Sequence, residues 1–195
     1  MTGPSGRPRP TREQLIAAAN RRIPDLIADD LDVLFCGINP GLYSGATGLH
    51  FARPGNRLWR ALHEGGLTPV LLHPWQQQEM LASRLGITNL VMRTTATAAE
   101  LGDDEIRKGG AALVRKVRRY RPLAVAVLGI GAYRVAFGRP HATVGRQPET
   151  IGNAMLWVLP NTSGLNANYQ AADFAEAFGA LARAVRAERR AARVR

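Results

Sequence analysis

The apolar residues of this chain fall into short continuous runs, separated by longer segments in which they recur with a helical period. Four of the runs, DVLFCGI, ITNLV, LAVAVLG and AMLWVLP, have the length of a β-strand and contain few polar residues. A strand that is covered on both faces has such a nearly continuous apolar sequence. The pattern therefore predicts four buried strands, at residues 32–38, 87–91, 123–129 and 154–160.

Most segments around these runs have the spacing of an amphipathic helix. In NRLWRALHEGG, for example, Leu58, Trp59 and Leu62 share one face, and the two glycines at residues 65–66 end the helix. The segment DDEIRKGGAALVRKVRRYRP begins with acids and ends with bases, which suits the helix dipole at both ends. Helices are predicted at residues 11–27, with an interruption near Pro24, and at residues 56–66, 74–85, 103–121 and 171–190.

Strands that alternate with helices are joined by right-handed crossovers into a parallel sheet with helices on both faces. The chain has 195 residues, of which 46% are hydrophobic, and this is enough for one α/β domain with a sizeable core. We predict a three-layer α/β/α fold around a central four-stranded, mainly parallel sheet. The domain should span residues 23–182, between a basic, partly disordered N-terminal arm with the start of the first helix at residues 1–22 and a basic tail at residues 183–195.

No segment approaches the roughly 18 consecutive apolar residues of a membrane-spanning helix. The first residues, MTGPSGRPRPTREQ, also lack the apolar stretch of a secretory leader. We therefore expect a cytoplasmic protein without a membrane partner.

The formal charge of +11 is concentrated at the two ends of the chain. Residues 1–22 contain five arginines and one glutamate, and residues 183–195 contain six arginines and one glutamate, so the rest of the chain carries only +2. Arginine-rich arms on a nearly neutral domain would add salt-dependent affinity for nucleic acid of any sequence. A third basic run, at residues 107–121, contains seven bases and no acid, and its ordinary interpretation is the solvent face of a helix.

The sequence has few residues that could hold a metal or a redox centre. Cys36 is the single cysteine, so it can form neither an internal disulfide nor a four-cysteine iron–sulfur cluster, and we expect a small core residue. The four histidines lack metal-ligand spacing, and we predict no metal and no cofactor. Gly129 and Gly131 do not complete a dinucleotide-binding fingerprint, and instead predict a tight strand-to-helix turn in which the glycines serve packing.

Two of the predicted strands lead into an asparagine within a loop of small residues. The first strand continues into GINPG with Asn39, and the fourth continues into LPNTSGLN with Asn161. Each asparagine alone is well explained as a turn former. Because ligands bind beyond the carboxyl ends of the strands of a parallel sheet, the two loops together predict one shared site.

The segments that carry these loops resemble the mismatch-specific uracil/thymine DNA glycosylases, the branch of the uracil-DNA glycosylase superfamily that has the GINPG motif. The similar segments are FCGINPGLYSGATGLHFARPGNRLW, GITNLVMRTT, EIRKGGAALVRKVRRYRP and VLPNTSGL, and they cover residues 31–165 with few gaps. The glycine pair at residues 109–110 is part of the resemblance, although its low helix propensity opposes the helix predicted there.

The resemblance implies an enzyme that hydrolyses the N-glycosidic bond of a uracil, or more weakly a thymine or modified pyrimidine, opposite guanine in double-stranded DNA. Such an enzyme must rotate the base out of the duplex, which costs least at a mismatch. Leu165 corresponds to the apolar wedge that fills the vacated space, and Gly164 and the backbone at Asn166 would face the guanine left behind. Asn161 and Ser163 belong to the same loop. From the sequence alone, Leu165 could equally pack this loop against the core.

The resemblance also implies a pocket for the extruded base. Phe51 corresponds to a ring that stacks on the pyrimidine, and Asn89 to a residue that hydrogen-bonds the base edge. The backbone amide of Ile38 and the hydroxyl of Ser44 are further candidates for base contacts. Phe51, Asn89 and Ser44 also have ordinary structural explanations, as a core residue, a strand-end cap and a loop hydroxyl respectively. His50 could contact the leaving base or a phosphate, but an exposed loop histidine is the simpler expectation.

Asn39 corresponds to the catalytic position of this branch. Its amide does not ionise and cannot act as a general base, but its carbonyl can orient a water towards the anomeric carbon while pocket hydrogen bonds stabilise the departing pyrimidine anion. Without a carboxylate at this position, the enzyme should be slow and should favour uracil over thymine. We separately expect a monomer.

The sequence departs from the family pattern in three places. Thr162 replaces a proline, Asn166 and Ala167 replace a serine and an arginine, and Met92 replaces a common acid, which leaves Arg93 without that neighbour. These departures put the grip on the product DNA and the activity on thymine in question. The alternative function is a catalytically weak or silent nucleic-acid-binding or nucleotide-binding member of the same fold.

Overall fold

The computed structural model describes residues 9–194, and within them five strands form one sheet with helices on both faces. The strands are β1 (Val33–Gly37), β2 (Leu85–Asn89), β3 (Ala124–Leu128), β4 (Gly145–Ile151) and β5 (Ala154–Leu159), in the order β2-β1-β3-β5-β4. Strands β1, β2, β3 and β5 run parallel, and β4 pairs antiparallel with β5. The predicted α/β/α architecture with a mainly parallel sheet is confirmed, with one strand more than expected.

The helices of the described residues cover the two faces of this sheet. They are α1 (Arg12–Ile16), α2 (Leu42–Thr47), α3 (Leu58–Glu64), α4 (Glu79–Ala82), α5 (Asp103–Tyr120), α6 (Ile130–Phe137) and α7 (Ala171–Val194), with short 3-10 turns at Pro74–Gln76 and Ala98–Glu100. Residues of α3 and α7 pack in the core on one face, and residues of α5 and α6 pack in the core on the other. None of these helices has the length and apolar character needed to cross a bilayer.

The alternation of side chains along β1 explains its continuous apolar sequence. Val33 and Phe35 belong to the core beneath α3 and α7, whereas Leu34 and Cys36 belong to the core beneath α5 and α6. All four side chains are fully buried. The expectation that Cys36 is a core residue is confirmed, and burial raises the pKa of its thiol far above the ordinary value.

The strand that the sequence did not predict is the edge strand β4. Its sequence, GRQPETI, is mostly polar, and only Gln147 and Ile151 are buried. The pairing with β5 is irregular between Arg146 and Thr150, around Pro148, which has no N–H to donate. A strand with only one covered face lacks the continuous apolar pattern by which the four parallel strands were found.

The helix predicted at residues 11–27 is wrong beyond its first turns. α1 ends at Ile16, residues 17–21 continue in hydrogen-bonded turns, and the backbone then pairs with distant segments. The amide of Asn20 donates to the carbonyl of Thr94 at 3.0 Å, and Leu26 exchanges two backbone hydrogen bonds with Ile87 of β2. These bonds hold the chain after α1 in an extended conformation beside β2 and beside the residues that follow β2. We call this segment the strap.

Three other boundaries differ from the predictions. The helix expected at residues 74–85 is divided into a 3-10 turn and the short α4, and the glycine-rich loop after Asn39 contains the unpredicted α2. The chain at residues 183–194 continues α7 and does not form a separate tail. The first eight residues of the predicted basic arm, and Arg195, lie outside the described residues.

The glycine pair in α5 is explained by two backbones that approach the helix closely. A Cβ atom at Gly109 would lie 2.5 Å from the carbonyl oxygen of Leu90, and one at Gly110 would lie 2.5 Å from the carbonyl oxygen of Ala136. These distances are shorter than any real Cβ contact, so only glycine lets α5 sit against the end of β2 and against α6. Gly129 begins α6 with a φ of +124°, as a tight turn requires, but Gly131 has open space around it and serves no packing role.

We predict that Gly110→Ala destabilises the protein although alanine has the higher helix propensity. The propensity gain is at most about 1 kcal/mol, whereas overpacking against a backbone carbonyl costs about 1–3 kcal/mol or more. The matched control is Gly131→Ala in α6, which should be neutral or slightly stabilising. Chemical denaturation measures both changes. Equal free energies of unfolding for the two variants would show that the close backbone approach at Gly110 does not affect stability.

Candidate active site

The carboxyl ends of the parallel strands meet at one edge of the sheet, where the chain leaves an open cleft of about 610 Å³. The two asparagine-bearing loops both reach this cleft, as their positions after β1 and β5 predict. Nine of the eleven residues proposed from the sequence line it, namely Ile38, Asn39, Ser44, His50, Phe51, Asn89, Asn161, Ser163 and Leu165. Gly164 and Asn166 lie in the same loop as Leu165 but do not line the cleft.

The side-chain amide of Asn39 is fixed by three hydrogen-bond acceptors, which share the two N–H protons of its nitrogen. Nδ2 donates to the carbonyl oxygen of Pro40 at 3.2 Å, to that of Arg93 at 3.1 Å and to the hydroxyl of Thr95 at 2.7 Å. The Thr95 hydroxyl donates its own proton to the carbonyl of Thr97 at 2.7 Å and therefore accepts from Asn39. Since all three partners of the amide are acceptors, the nitrogen must face them.

The carbonyl oxygen of Asn39 is consequently the part of this side chain that is available to the cleft. Within residues 9–194, Oδ1 accepts no hydrogen bond from the protein. A fixed, uncharged acceptor at the end of a strand can hold a water molecule in one place by accepting a hydrogen bond from it.

Phe51 and Asn89 meet above the end of β1, where Gly37 leaves room for both. A Cβ atom at Gly37 would lie 2.5 Å from Oδ1 of Asn89 and 3.0 Å from Cζ of Phe51. Phe51 has a φ of +49°, and the indole nitrogen of Trp59 donates to its carbonyl at 3.4 Å. Gly37 was not proposed as a site residue, because from the sequence it is simply the last residue of a buried strand.

Asn89 carries a hydrogen-bond donor that the described residues leave unused. The side chain is 5% exposed, and Nδ2 is buried without a partner. Burying an amide N–H without an acceptor costs about 1–3 kcal/mol. A ligand in the cleft with a carbonyl oxygen near Phe51 would remove this cost.

The remaining pocket candidates are partly engaged by the protein itself. The hydroxyl of Ser44, in α2, is buried and accepts a hydrogen bond from the backbone amide of Ala52 at 3.2 Å, which leaves its proton free to donate. The carbonyl of Ile38 accepts from the amide of Val91 at 2.9 Å. Both residues line the cleft.

The expectation that His50 is an exposed loop residue is wrong. The side chain is 2% exposed, and Nε2 lies 2.9 Å from the carbonyl oxygen of Pro24, to which it donates. Its backbone amide is held by the side chain of Gln77 at 2.8 Å. Burial lowers the pKa of His50, so the ring in the cleft wall is neutral at pH 7.

The second loop folds on its own polar side chains. Oδ1 of Asn161 accepts from the amide of Ser163 at 3.0 Å, and Nδ2 of Asn166 donates to the carbonyl of Asn161 at 2.8 Å. Gly164 packs against the loop before α3, where an added Cβ would lie 2.7 Å from the carbonyl oxygen of Gly55. Asn166, which replaces a family serine, is thus part of the loop's internal structure.

Leu165 stands out from this loop with 73% of its surface exposed. It lines the cleft on one side and a second cavity of about 660 Å³ on the other. The alternative in which Leu165 packs the loop against the core is therefore wrong.

The loop is fastened to the domain by Arg57, which sequence reasoning missed. Its guanidinium donates to three backbone carbonyls, those of Tyr169 at 2.8 Å, Ser163 at 2.7 Å and Asn166 at 2.6 Å, and it stacks over the ring of Phe174 at 4.5 Å. Arg57 is the N-cap residue of α3, where the helix dipole disfavours a cation. A base in that position was the signal that the side chain serves something other than the helix.

The other departures from the family pattern have structural consequences. Met92 lies beside Lys116, with 3.7 Å between the thioether sulfur and Nζ. Arg93 does have an acidic partner, because its guanidinium forms an ion pair with Glu105 at 2.7 Å. Thr162 is fully buried, with a hydroxyl that has no partner among the described residues, and its carbonyl accepts from the amide of Arg57 at 2.9 Å.

The chemistry that this cleft offers is that of neutral polar groups. In the described part of the chain its lining contains no carboxylate, and Arg53 is its one charged side chain. No group of three or more histidine, cysteine or acidic side chains among residues 9–194 is placed to hold a metal ion. The site can orient water, hydrogen-bond a flat ligand and stack on its ring.

Comparison with known proteins gives two findings. A family model described as the uracil DNA glycosylase superfamily matches residues 24–182. The fold is similar to the solution NMR structure of a proposed uracil DNA glycosylase from Methanosarcina acetivorans, with a TM-score of 0.56 and 18% sequence identity over 84% of this chain and 98% of that chain. At this identity the structural likeness establishes the fold alone.

We predict that the free energy of unfolding decreases as the pH falls from about 7.5 to about 5.5, and that His50 causes part of the decrease. Because the pKa of His50 is lowered in the folded protein, the unfolded chain takes up the proton first, near its ordinary pKa of about 6.5, and is stabilised by it. His50→Gln should reduce this pH dependence, since an amide can still donate to Pro24 and does not titrate. His141→Gln, at an exposed histidine, should not. Urea unfolding at several pH values measures the effect, and identical slopes for wild type and His50→Gln would contradict it.

Proposed function

Because this chain belongs to the uracil DNA glycosylase superfamily, we propose that it is a monofunctional DNA glycosylase that removes uracil opposite guanine from double-stranded DNA and leaves an abasic site. Thymine and modified pyrimidines would be weaker substrates. The single observation that carries the proposal is the anchored amide of Asn39, whose free oxygen faces the cleft beside a stacking ring and an unpaired amide donor.

In this proposal the extruded uracil enters the space between Phe51 and Asn89. The ring stacks on Phe51, and the unpaired Nδ2 of Asn89 donates to a carbonyl oxygen of the base. The amide of Ile38 and the hydroxyl of Ser44 are available to the same base edge. Gly37 keeps the floor of the pocket flat enough for a pyrimidine.

The proposed reaction is a hydrolysis in which water supplies the nucleophile. The bond between C1′ of the sugar and N1 of uracil breaks, and its electron pair leaves with the base as a uracil anion. Oδ1 of Asn39 accepts a hydrogen bond from the water that bonds to C1′, and the proton released goes to solvent or to the departing base. Hydrogen bonds to the base carbonyls stabilise the anion as its charge develops.

The absence of a carboxylate sets the expected rate. A carboxylate in the cleft would stabilise the positive charge that develops on the sugar, and the lining contains none among its described residues. The reaction must therefore depend on the leaving ability of the base, so we propose a slow enzyme that prefers uracil to thymine.

Leu165 is proposed as the wedge that fills the space left in the duplex. An exposed leucine on a loop that is rigid through Arg57 and Gly164 can be inserted without rearranging the domain. A stable apolar wedge offsets part of the cost of unstacking, which is a few kcal/mol per base.

A catalytically silent nucleic-acid-binding protein is the second candidate function. The neutral His50 and the lack of carboxylates in the described lining of the cleft favour it, since neither feature supplies a strong general base. A binder of phosphate alone is disfavoured, because it has no use for an exposed wedge beside a stacking ring.

The experiment that tests the function is excision of uracil from a labelled duplex with a single G·U pair, with protein in excess over DNA. We expect an alkali-dependent strand break at the uracil, and none in the matched duplex with a G·C pair. A break no stronger than that in the protein-free sample would leave the silent binder as the function.

Variants of two exposed leucines control for contaminating glycosylases. Leu165→Ala should reduce the rate of excision from the G·U duplex by about tenfold or more. Without the wedge, rotating the base out of the duplex should cost more than about 1.4 kcal/mol of additional free energy. Excision from single-stranded uracil DNA, which needs no wedge, should be unchanged. Leu71→Ala, at an exposed leucine that does not line the cleft, should leave both activities unchanged. Equal losses on duplex and single strand for Leu165→Ala would remove the wedge role.

A further inference from the structure

The basic ends of α5 and α7 lie near the amino ends of the parallel strands, on the side of the domain opposite to the cleft. α5 ends at Tyr120, four residues before β3 begins, and so ends where the parallel strands start. α7 reaches the same edge, because Nε of Arg189 donates to the carboxylate of Asp32 at 2.8 Å, one residue before β1. The cleft lies at the other ends of these strands.

The two helix ends cover opposite faces of the sheet and flank one short segment of chain. The carbonyl of Leu31 accepts from the amide of Leu123, just after α5, at 3.0 Å. The neighbouring carboxylates of Asp30 and Asp32 bind Arg189 of α7. The two helix ends carry exposed arginines without an ion pair among the described residues, and we call these the basic pole: Arg118, Arg119, Arg121, Arg186 and Arg190. The guanidinium of Arg186 also donates to the carbonyl of Gly66.

The acids at this edge do not neutralise the basic pole. Asp30 pairs with Arg84 at 2.9 Å and with Arg189 at 3.3 Å, and Asp32 is bound by Arg189 as well. Within residues 9–194, Asp29 and Glu188 are the acids that remain without an ion pair there, against the five arginines of the pole. The surface therefore has a net positive charge after its own ion pairs are formed.

One duplex cannot occupy the cleft and the basic pole at once. α5 has 18 residues and is about 27 Å long at about 1.5 Å per residue, and it separates the two edges of the sheet. Double-stranded DNA is stiff over about 150 base pairs, so a duplex that crosses the cleft does not bend back across this distance. The cleft itself contributes one charged side chain, Arg53, to its described lining.

We propose that the basic pole binds the phosphate backbone of a second double-stranded DNA segment while the cleft faces the first. Arginine guanidinium groups pair with phosphate oxygens through parallel hydrogen bonds, and such contacts are independent of sequence. A protein with two DNA-binding surfaces can pass from one segment to another without full release. The inference rests on the proposed function only in assigning DNA to the cleft.

The test counts the short, undamaged duplexes that one protein molecule binds at low salt. Duplexes in two colours are mixed with a limiting amount of protein, and the mass of the two-colour species is measured by analytical ultracentrifugation. We expect complexes of one protein with two duplexes. Arg118→Gln/Arg119→Gln should abolish binding of the second duplex, and the slope of log affinity against log salt should become shallower by about 0.9 for each phosphate that the variant no longer neutralises.

The matched control lies on the same helix. Arg107→Gln/Lys108→Gln removes two positive charges, as Arg118→Gln/Arg119→Gln does, but from the end of α5 near the cleft. This variant should still bind the second duplex. Arg186→Gln/Arg190→Gln removes the arginines that α7 contributes to the basic pole. This variant should no longer bind the second duplex. One duplex per protein at every mixing ratio, or an equal loss in the Arg107→Gln/Lys108→Gln variant, overturns the proposal.

Excision from a short G·U duplex separates this proposal from the proposed function. Variants of the basic pole should excise uracil at the wild-type rate when protein is in excess. Two-duplex complexes without any excision would contradict the glycosylase function and support DNA binding by the basic pole. Excision with one duplex per protein would support the glycosylase function and contradict DNA binding by the basic pole.

Discussion

The orientation of one side-chain amide is the constraint on which the site depends. Asn39 follows β1, and its nitrogen is surrounded by two carbonyl oxygens and by a threonine hydroxyl that has already donated its proton. An amide in such surroundings has one allowed orientation, with its oxygen towards the cleft. A carboxylate could not take the same place without facing the carbonyl oxygens of Pro40 and Arg93. The neutral residue is therefore built into the loop, and the water it would orient has to react without the help of a base.

The rest of the site is arranged around this fixed point by close backbone approaches and by one half-buried guanidinium. Gly37 lets Phe51 and Asn89 meet over the end of β1, and Gly164 lets the Leu165 loop lie against Gly55. Arg57 binds three carbonyls of that loop and also begins α3, which follows the pocket loop. The wedge loop and the pocket loop are thus connected by direct contacts. In a glycosylase these contacts would link insertion of the wedge to capture of the base.

The sequence predicted what local patterns determine and missed what contacts between distant segments determine. The four parallel strands are continuous apolar runs, and the two asparagine loops follow two of them, so the position of the cleft could be inferred from the order of these runs and loops. The edge strand β4 has no such pattern, and the strap after α1 is held by Thr94 and Ile87, far away in the chain. His50 looked like a loop residue because nothing near it in the sequence shows that Pro24 and Gln77 enclose it. Arg57 was overlooked for the same reason, since its partners lie more than one hundred residues further along.

The measurement that tests this account most directly is the single-turnover rate of uracil excision by Asn39→Ala and Asn39→Asp on a G·U duplex. Loss of the positioned acceptor should lower the rate of Asn39→Ala by about a hundredfold or more while the affinity for the duplex stays the same. Asn39→Asp should also be slower than wild type, because its carboxylate cannot donate to Pro40, Arg93 and Thr95 and loses the fixed orientation. An Asn39→Ala variant that excises uracil at the wild-type rate would contradict the central role of this amide.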